Sequence, residues 1–405
     1  MRPDAASRGE RQITSGTAAF RNSIVALFCA GFAIFAMVYY VQPLLPMFSA
    51  DFGLGTAQSS LALSVTTGLM APAMLIASSV SENVGRKPVM VAAVLVSASL
   101  TIATAFARSW AELVLLRALA GLSLACLPSV AMAYVAEEIA APALGLAMGL
   151  YVGGSALGGM TARLAAGWLS GIGSWRLASA SLGAMGLLAG LIFWRSLPPS
   201  RHFARRALAP RELLLGFATH LRDPALRLLV AEGFVMMGSF VSIYNYIGYR
   251  LLAPPYELSQ ASVGLIFAVY LVGILSSPMT GAVASRHGFG KVFLAMLIAM
   301  VAGAALTLAR PLACIVAGLA LLTFGFFGAH SIASAWVGRR ATTAKAQAAS
   351  LYLFLYYVGS SLLGSLGGLF FQRSGWHGVI TLVAVLLCAA IAISLRLLPL
   401  QPPVS

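Results

Sequence analysis

Long apolar runs alternate with short polar gaps along most of the chain. A helix needs about 20 consecutive apolar residues to cross the hydrocarbon core of a bilayer. The runs predict twelve such helices, at about 21–47, 57–80, 88–107, 110–135, 143–168, 174–197, 225–250, 260–284, 290–309, 311–337, 345–371 and 376–398. Most gaps are only a few residues long, so neighbouring helices are expected to pack antiparallel. The exception is "PPSRHFARRALAPRELLLGFATHLRDP" at 198–224, which opens on two prolines and closes on a third. Between Arg211 and His220 its pattern suits a short amphipathic helix lying on the membrane surface. The expected organisation is a tail at 1–20, a six-helix half at 21–197, this linker at 198–224, a second half at 225–398 and a tail at 399–405.

Composition fixes the class. The chain is 60% hydrophobic and only 9% charged, against roughly 25% charged residues in a soluble domain. It is an all-α polytopic membrane protein. A net charge of +15 would suit nucleic acid if the charges formed a patch. Instead most of the 26 Lys and Arg fall in alternate gaps, among them "GRK" at 85–87 and the Arg-rich linker. That is the expected mark of cytoplasmic loops, so both termini are expected in the cytoplasm and no nucleic-acid partner is expected. Cys29, Cys126, Cys314 and Cys388 each stand alone inside an apolar run and read as small buried hydrophobes. The first run lacks a small-x-small cleavage site and reads as a retained span. No H-E-x-x-H, G-x-S-x-G or Walker-type phosphate loop occurs, and the longest segment outside the apolar runs is the linker. Membrane enzyme, ATP-driven pump and sensor are set aside, and no cofactor or metal is expected.

The two halves echo each other. "AGF" at 30–32 answers "EGF" at 232–234, and "YVGGSALG" at 151–158 answers "YVGSSLLG" at 357–364. "SSVSENVGRKPVM" at 78–90 is answered at nearly the same offset by "PMTGAVASRHGFGKVF" at 278–293. Two six-helix repeats are an architecture of secondary transporters. Read on its own chemistry, the first loop is a topology signal. Gly85 permits a tight turn, Pro88 suits the first turn of the next helix, and Arg86 with Lys87 hold that end inside.

These stretches resemble the major facilitator superfamily over nearly the whole chain. "SSVSENVGRKPVM" is similar to that family's loop G-x-L-x-D-x-x-G-R-K, with Ser78 in place of the first glycine and Glu82 in place of the aspartate. "LLRALAGLSLA" at 115–125 resembles the helix-4 motif in which glycine follows arginine by four residues. "GSALGG" at 154–159 resembles G-P-x-x-G-G of the drug/proton antiporters, with Ser155 where proline stands. The resemblance implies a monomeric secondary transporter of the bacterial inner membrane, working by alternating access. It implies proton-coupled efflux of small, partly apolar molecules, with a sugar or metabolite transporter of the same fold as the alternative. It also implies that Glu82 and Arg86 form a latch bracing the two halves together on the inside when the outside is open, with Glu137 or Glu138 as partner. The second loop has Ser285 where Glu82 sits, so the latch is expected in one half only.

Candidate residues for the pathway follow from polarity inside apolar runs. Arg117 and Arg163 are cations at depth, where a charge normally faces a cavity or a partner. Arg163 could instead snorkel to the outer interface. Gln42, Asn245 and Tyr356 are candidate cavity linings, whereas Tyr249 reads as an interfacial belt residue. His330 reads as a hydrogen-bonded packing residue or a proton carrier. Glu232 is nearly the only embedded acid, and a carboxyl that loads and releases a proton as its cavity opens is what antiport needs. Its bland alternative is pairing with Arg227. Gly121, Gly154, Gly158, Gly159, Gly359 and Gly364 fall in small-residue patterns that let helices approach closely.

Overall fold

The computed structural model describes residues 12–200, 217–341 and 345–400. Among the described residues, ten helices are long and apolar enough to cross a membrane. They are α1 (Ala18–Phe52), α3 (Arg86–Thr104), α4 (Trp110–Glu138), α5 (Ala141–Ile172), α6 (Trp175–Ser196), α7 (Pro224–Leu252), α8 (Gln260–His287), α9 (Phe289–Leu306), α10 (Leu312–Arg340) and one 54-residue run from Gln347. That run is broken by the non-helical dihedrals of Ser374 and Gly375, which divides it into α11 (345–373) and α12 (376–397). Adding α2 (Leu61–Val84) gives the twelve expected spans. Of the expected linker helix, 217–222 is helical. The rest of it, like 1–11 and 401–405, lies outside the described residues.

Local chemistry sets the helix ends. Thr17, Ser109, Ser174 and Asp223 cap α1, α4, α6 and α7 by accepting backbone N–H bonds, which satisfies donors the first turn leaves free. The two echoing loops turn alike. Gly85 ends α2 at φ +110° and Gly288 ends α8 at φ +94°, a conformation that glycine adopts without a Cβ clash. Each half also carries a proline inside the preceding helix, Pro72 in α2 and Pro278 in α8. A proline there removes one helical hydrogen bond and favours a bend.

Helices α1–α6 form one bundle and α7–α12 the other. The small-residue motifs work as packing seams. A side chain at Gly154 would strike the Phe28 backbone, and one at Gly158 the Phe32 backbone, so α5 lies directly on α1. The second half repeats the seam with Gly359 of α11 on the Phe234 backbone of α7. Gly121 of α4 seats on Thr66 of α2. Gly159 and Gly364 differ: they face side chains, Arg163 and Phe35 for the first, Val241 and Asn245 for the second. The face where α1 begins and α12 ends is called the terminal face below, and the opposite one the far face.

Candidate substrate cavity and gate

A cavity of about 400 Å3 lies between the bundles at mid-depth. Its walls come from α1, α5, α7, α8, α10 and α11, and most of them are apolar or aromatic, with Phe35, Phe240, Phe326, Phe327, Tyr270 and Tyr356 among them. Toward the terminal face its rim is exposed at Val152 and Ser334, whereas Tyr39 and Arg163 at the other end are buried. The cavity therefore faces the terminal side.

Arg163 closes the buried end. Its Nε donates to Gln42 Oε1 at 2.7 Å and its Nη1 to the Gly159 carbonyl at 2.6 Å. The guanidinium lies 4.4 Å from the Tyr39 ring centre and 4.6 Å from that of Tyr270. Gln42 Nε2 in turn donates to Asn245 Oδ1 at 2.9 Å. This chain, α5 to α1 to α7, crosses from one bundle to the other. Gln42 and Asn245, expected as cavity lining, belong to a seal just beyond it. Arg163 does not snorkel; it turns inward and is 2% exposed.

Beyond that chain the far face is stitched shut. The Tyr249 hydroxyl donates to the Leu45 carbonyl at 2.8 Å and lies 2.6 Å from both Ser49 Oγ and Ser59 Oγ. Ser361 donates to the Ser64 carbonyl at 2.7 Å, and Ser365 to Ser64 Oγ at 2.7 Å. Thr56 donates to the Gly368 carbonyl at 3.0 Å, and Gln260 donates to the Pro43 carbonyl. Gly167 of α5 and Gly264 of α8 meet backbone to backbone. Tyr249 is thus a gate residue and not an interfacial anchor, because its hydroxyl finds three partners on the other bundle. Nothing in its flanking sequence separates the two roles. The gate serines of α2 and α11 carry no distinguishing signal either, although "GSSLLGS" at 359–365 places Ser361 and Ser365 within one short stretch.

Arg117 stands apart from the cavity. It is fully buried within the first bundle, and its three nitrogens donate to the carbonyls of Ala62, Met37 and Val38 at 2.8–2.9 Å. The last two are at the point where α1 breaks before Pro43, and a broken helix leaves carbonyls that need donors. Arg117 is a staple for that break.

Glu232 is fully buried in α7, and neither of its oxygens has a hydrogen-bond partner. The alternative pairing with Arg227 is not formed. The Tyr352 ring packs on Gly233, the residue next to Glu232. The Tyr352 hydroxyl lies 2.9 Å from His330 Nδ1, and His330 lines the cavity stacked on Phe326 and beside Tyr356. Tyr352 thus joins the α7 segment that carries Glu232 to His330 at the cavity wall.

At the terminal face Arg86 donates to both oxygens of Glu137, at 2.7 and 3.2 Å, and to Ser81 Oγ at 2.5 Å. Glu82 is 3.8 Å away. Glu137 therefore pairs directly with Arg86, and the Glu138 backbone carbonyl accepts the Ile13 N–H. Lys87 donates to the Leu197 carbonyl at the end of α6. Each of these bonds stays inside the first bundle. Together they tie α2, α3, α4 and α6 to one another at the terminal face.

An all-helical protein with two echoing six-helix bundles around a central cavity is a membrane transporter in architecture. The comparisons agree. The family model described as Major Facilitator Superfamily matches residues 27–256 and 234–405, and the chain belongs to that family. It is 46% identical over 382 residues to the Bacillus subtilis (strain 168) "Uncharacterized MFS-type transporter YybF", covering 94% of this chain and 95% of that protein. It is 45% identical over 391 residues to the Escherichia coli (strain K12) "Inner membrane transport protein YnfM", covering 96% and 94%. Among solved structures, a bacterial homolog of the human lysosomal transporter Spinster, in an inward-facing and occupied conformation, superposes with a TM-score of 0.74 at 15% identity, over 92% of this chain and 95% of that one.

Proposed function

We propose that the chain is a secondary active transporter that works by alternating access and exports small, partly apolar molecules in exchange for protons, with its terminal face in the cytoplasm. The observation that carries the reading is the one-sided seal: a ligand-sized cavity is exposed toward one face and stitched shut toward the other. A cavity of this size is within the range of small-molecule sites. Its mostly aromatic and aliphatic wall favours a partly apolar cargo over a sugar, which needs many hydrogen bonds.

Proton exchange rests on Glu232. A carboxylate with no partner in an apolar pocket is costly, and Glu232 is such a group. Tyr352 and His330 offer the route by which the cavity's opening reaches that carboxyl. It stands eight residues into α7 from Pro224, roughly 12 Å deep at 1.5 Å per residue. In proteoliposomes with an imposed pH gradient and a panel of amphipathic compounds, wild-type protein should concentrate its substrate. Glu232→Gln should lose that concentration while still exchanging labelled for unlabelled substrate without a gradient. Unchanged gradient dependence in the variant would remove Glu232 from the coupling role.

A further inference from the structure

We propose that the cavity's cargo is a compact amphipathic anion, an aromatic or branched apolar body bearing one oxyanion group, with Arg163 as the residue that seats the charge. The inference rests on the transport reading and adds the chemical class of the cargo. Arg163 is the one side chain with a permanent charge among the described residues lining the cavity. It is almost wholly buried, and among the described residues no carboxylate stands within ion-pair distance of it. Its compensation is entirely neutral: one amide oxygen, one backbone carbonyl and the faces of Tyr39, Tyr270 and Phe267. A buried charge normally has an ionic partner, so the cavity carries positive charge that a ligand can neutralise.

The geometry leaves room for that ligand. Nε and Nη1 are engaged by Gln42 and Gly159. Nη2 has no hydrogen bond to the described residues, and a guanidinium binds oxyanions through such free N–H groups. The aromatic faces beside it would hold the apolar body. Glu232, which would attract a cation, is absent from the lining and sits behind Tyr352. An organic cation, the other amphipathic class such a pocket could take, would meet Arg163 at short range in a poorly screened space and be repelled.

Equilibrium binding to the full chain in lipid nanodiscs tests this with three ligands of one shape. Naphthalene-2-sulfonate is a permanent anion, 2-naphthalenemethanol is neutral, and 2-naphthylmethylamine is a cation at neutral pH. The sulfonate should bind at least about 10-fold more tightly than the alcohol, and the amine most weakly. Arg163→Gln should weaken the sulfonate by about 10-fold or more and leave the alcohol within about 3-fold, with Arg163→Lys between the two. The wild-type series decides the matter even if the variants do not fold. Equal or tighter binding of the amine or alcohol, or no binding of any of the three, overturns the proposal. Spin-label distances across the two faces need no ligand. If they still report two alternating states when the charge series fails, only the anion assignment is lost.

Discussion

Two arginines set alone in apolar runs do opposite work. Arg117 sits among three backbone carbonyls of its own bundle, while Arg163 stands at the end of the cavity. The sequence marks both as costly, because charge at membrane depth is rare and purposeful. It cannot tell them apart, because the difference lies in which broken helix or cavity each one meets across the fold. Arg117→Met should therefore act on stability: three charge-assisted hydrogen bonds vanish and three carbonyls are left dry, a loss of about 3 kcal/mol or more. The melting temperature in detergent should drop clearly, and cargo affinity of the surviving folded protein should be unchanged. An unaltered melting curve with altered affinity would put Arg117 in the binding site. Arg86 is similar. It is 4% exposed and held by Glu137, so Arg86→Ala should cost about 2 kcal/mol of stability, again read by melting. A melting temperature equal to wild type would leave the loop as a topology signal only.

At the scale of elements, the twelve spans, the echoing loops and the glycine seams were legible, because apolar run length, positive-φ glycines and small-residue spacing are local signals. The gate was not. Its parts are ordinary serines, a tyrosine and backbone carbonyls drawn from α1, α2, α7 and α11, and only the docking of two bundles makes them one unit. Tyr249→Phe tests that unit. It removes a hydroxyl shared by Leu45, Ser49 and Ser59, each bond worth about 1 kcal/mol net. The sealed far face should weaken by about 100-fold relative to its open alternative. Accessibility of a cysteine placed at Ser64 to a small polar maleimide should rise accordingly. No rise would mean that the serine ladder of α2 and α11 holds the face alone.

At the scale of the whole molecule, orientation comes from charge. The gaps on the terminal face carry most of the Lys and Arg, the pattern expected of cytoplasmic loops, and the proposed orientation rests on it. Reporter fusions after Arg206 and after Ser405 should both read cytoplasm, and one near Pro254 should read the far side. A cytoplasmic signal at Pro254 would reverse the orientation of the second half.

The same scale holds the central claim, that the sealed far face and the open terminal face exchange. Spin labels at Arg108 and Arg310 report the far face, and labels at Val84 and His287 the terminal face, in a chain whose four cysteines are first replaced. Electron–electron distance measurements in lipid nanodiscs, compared between acidic and alkaline buffer, give the decisive reading. The account predicts two populations at each face that trade places: wherever the far-face distance lengthens, the terminal-face distance shortens. A single unchanging population at both faces, or distances that lengthen together, would contradict it.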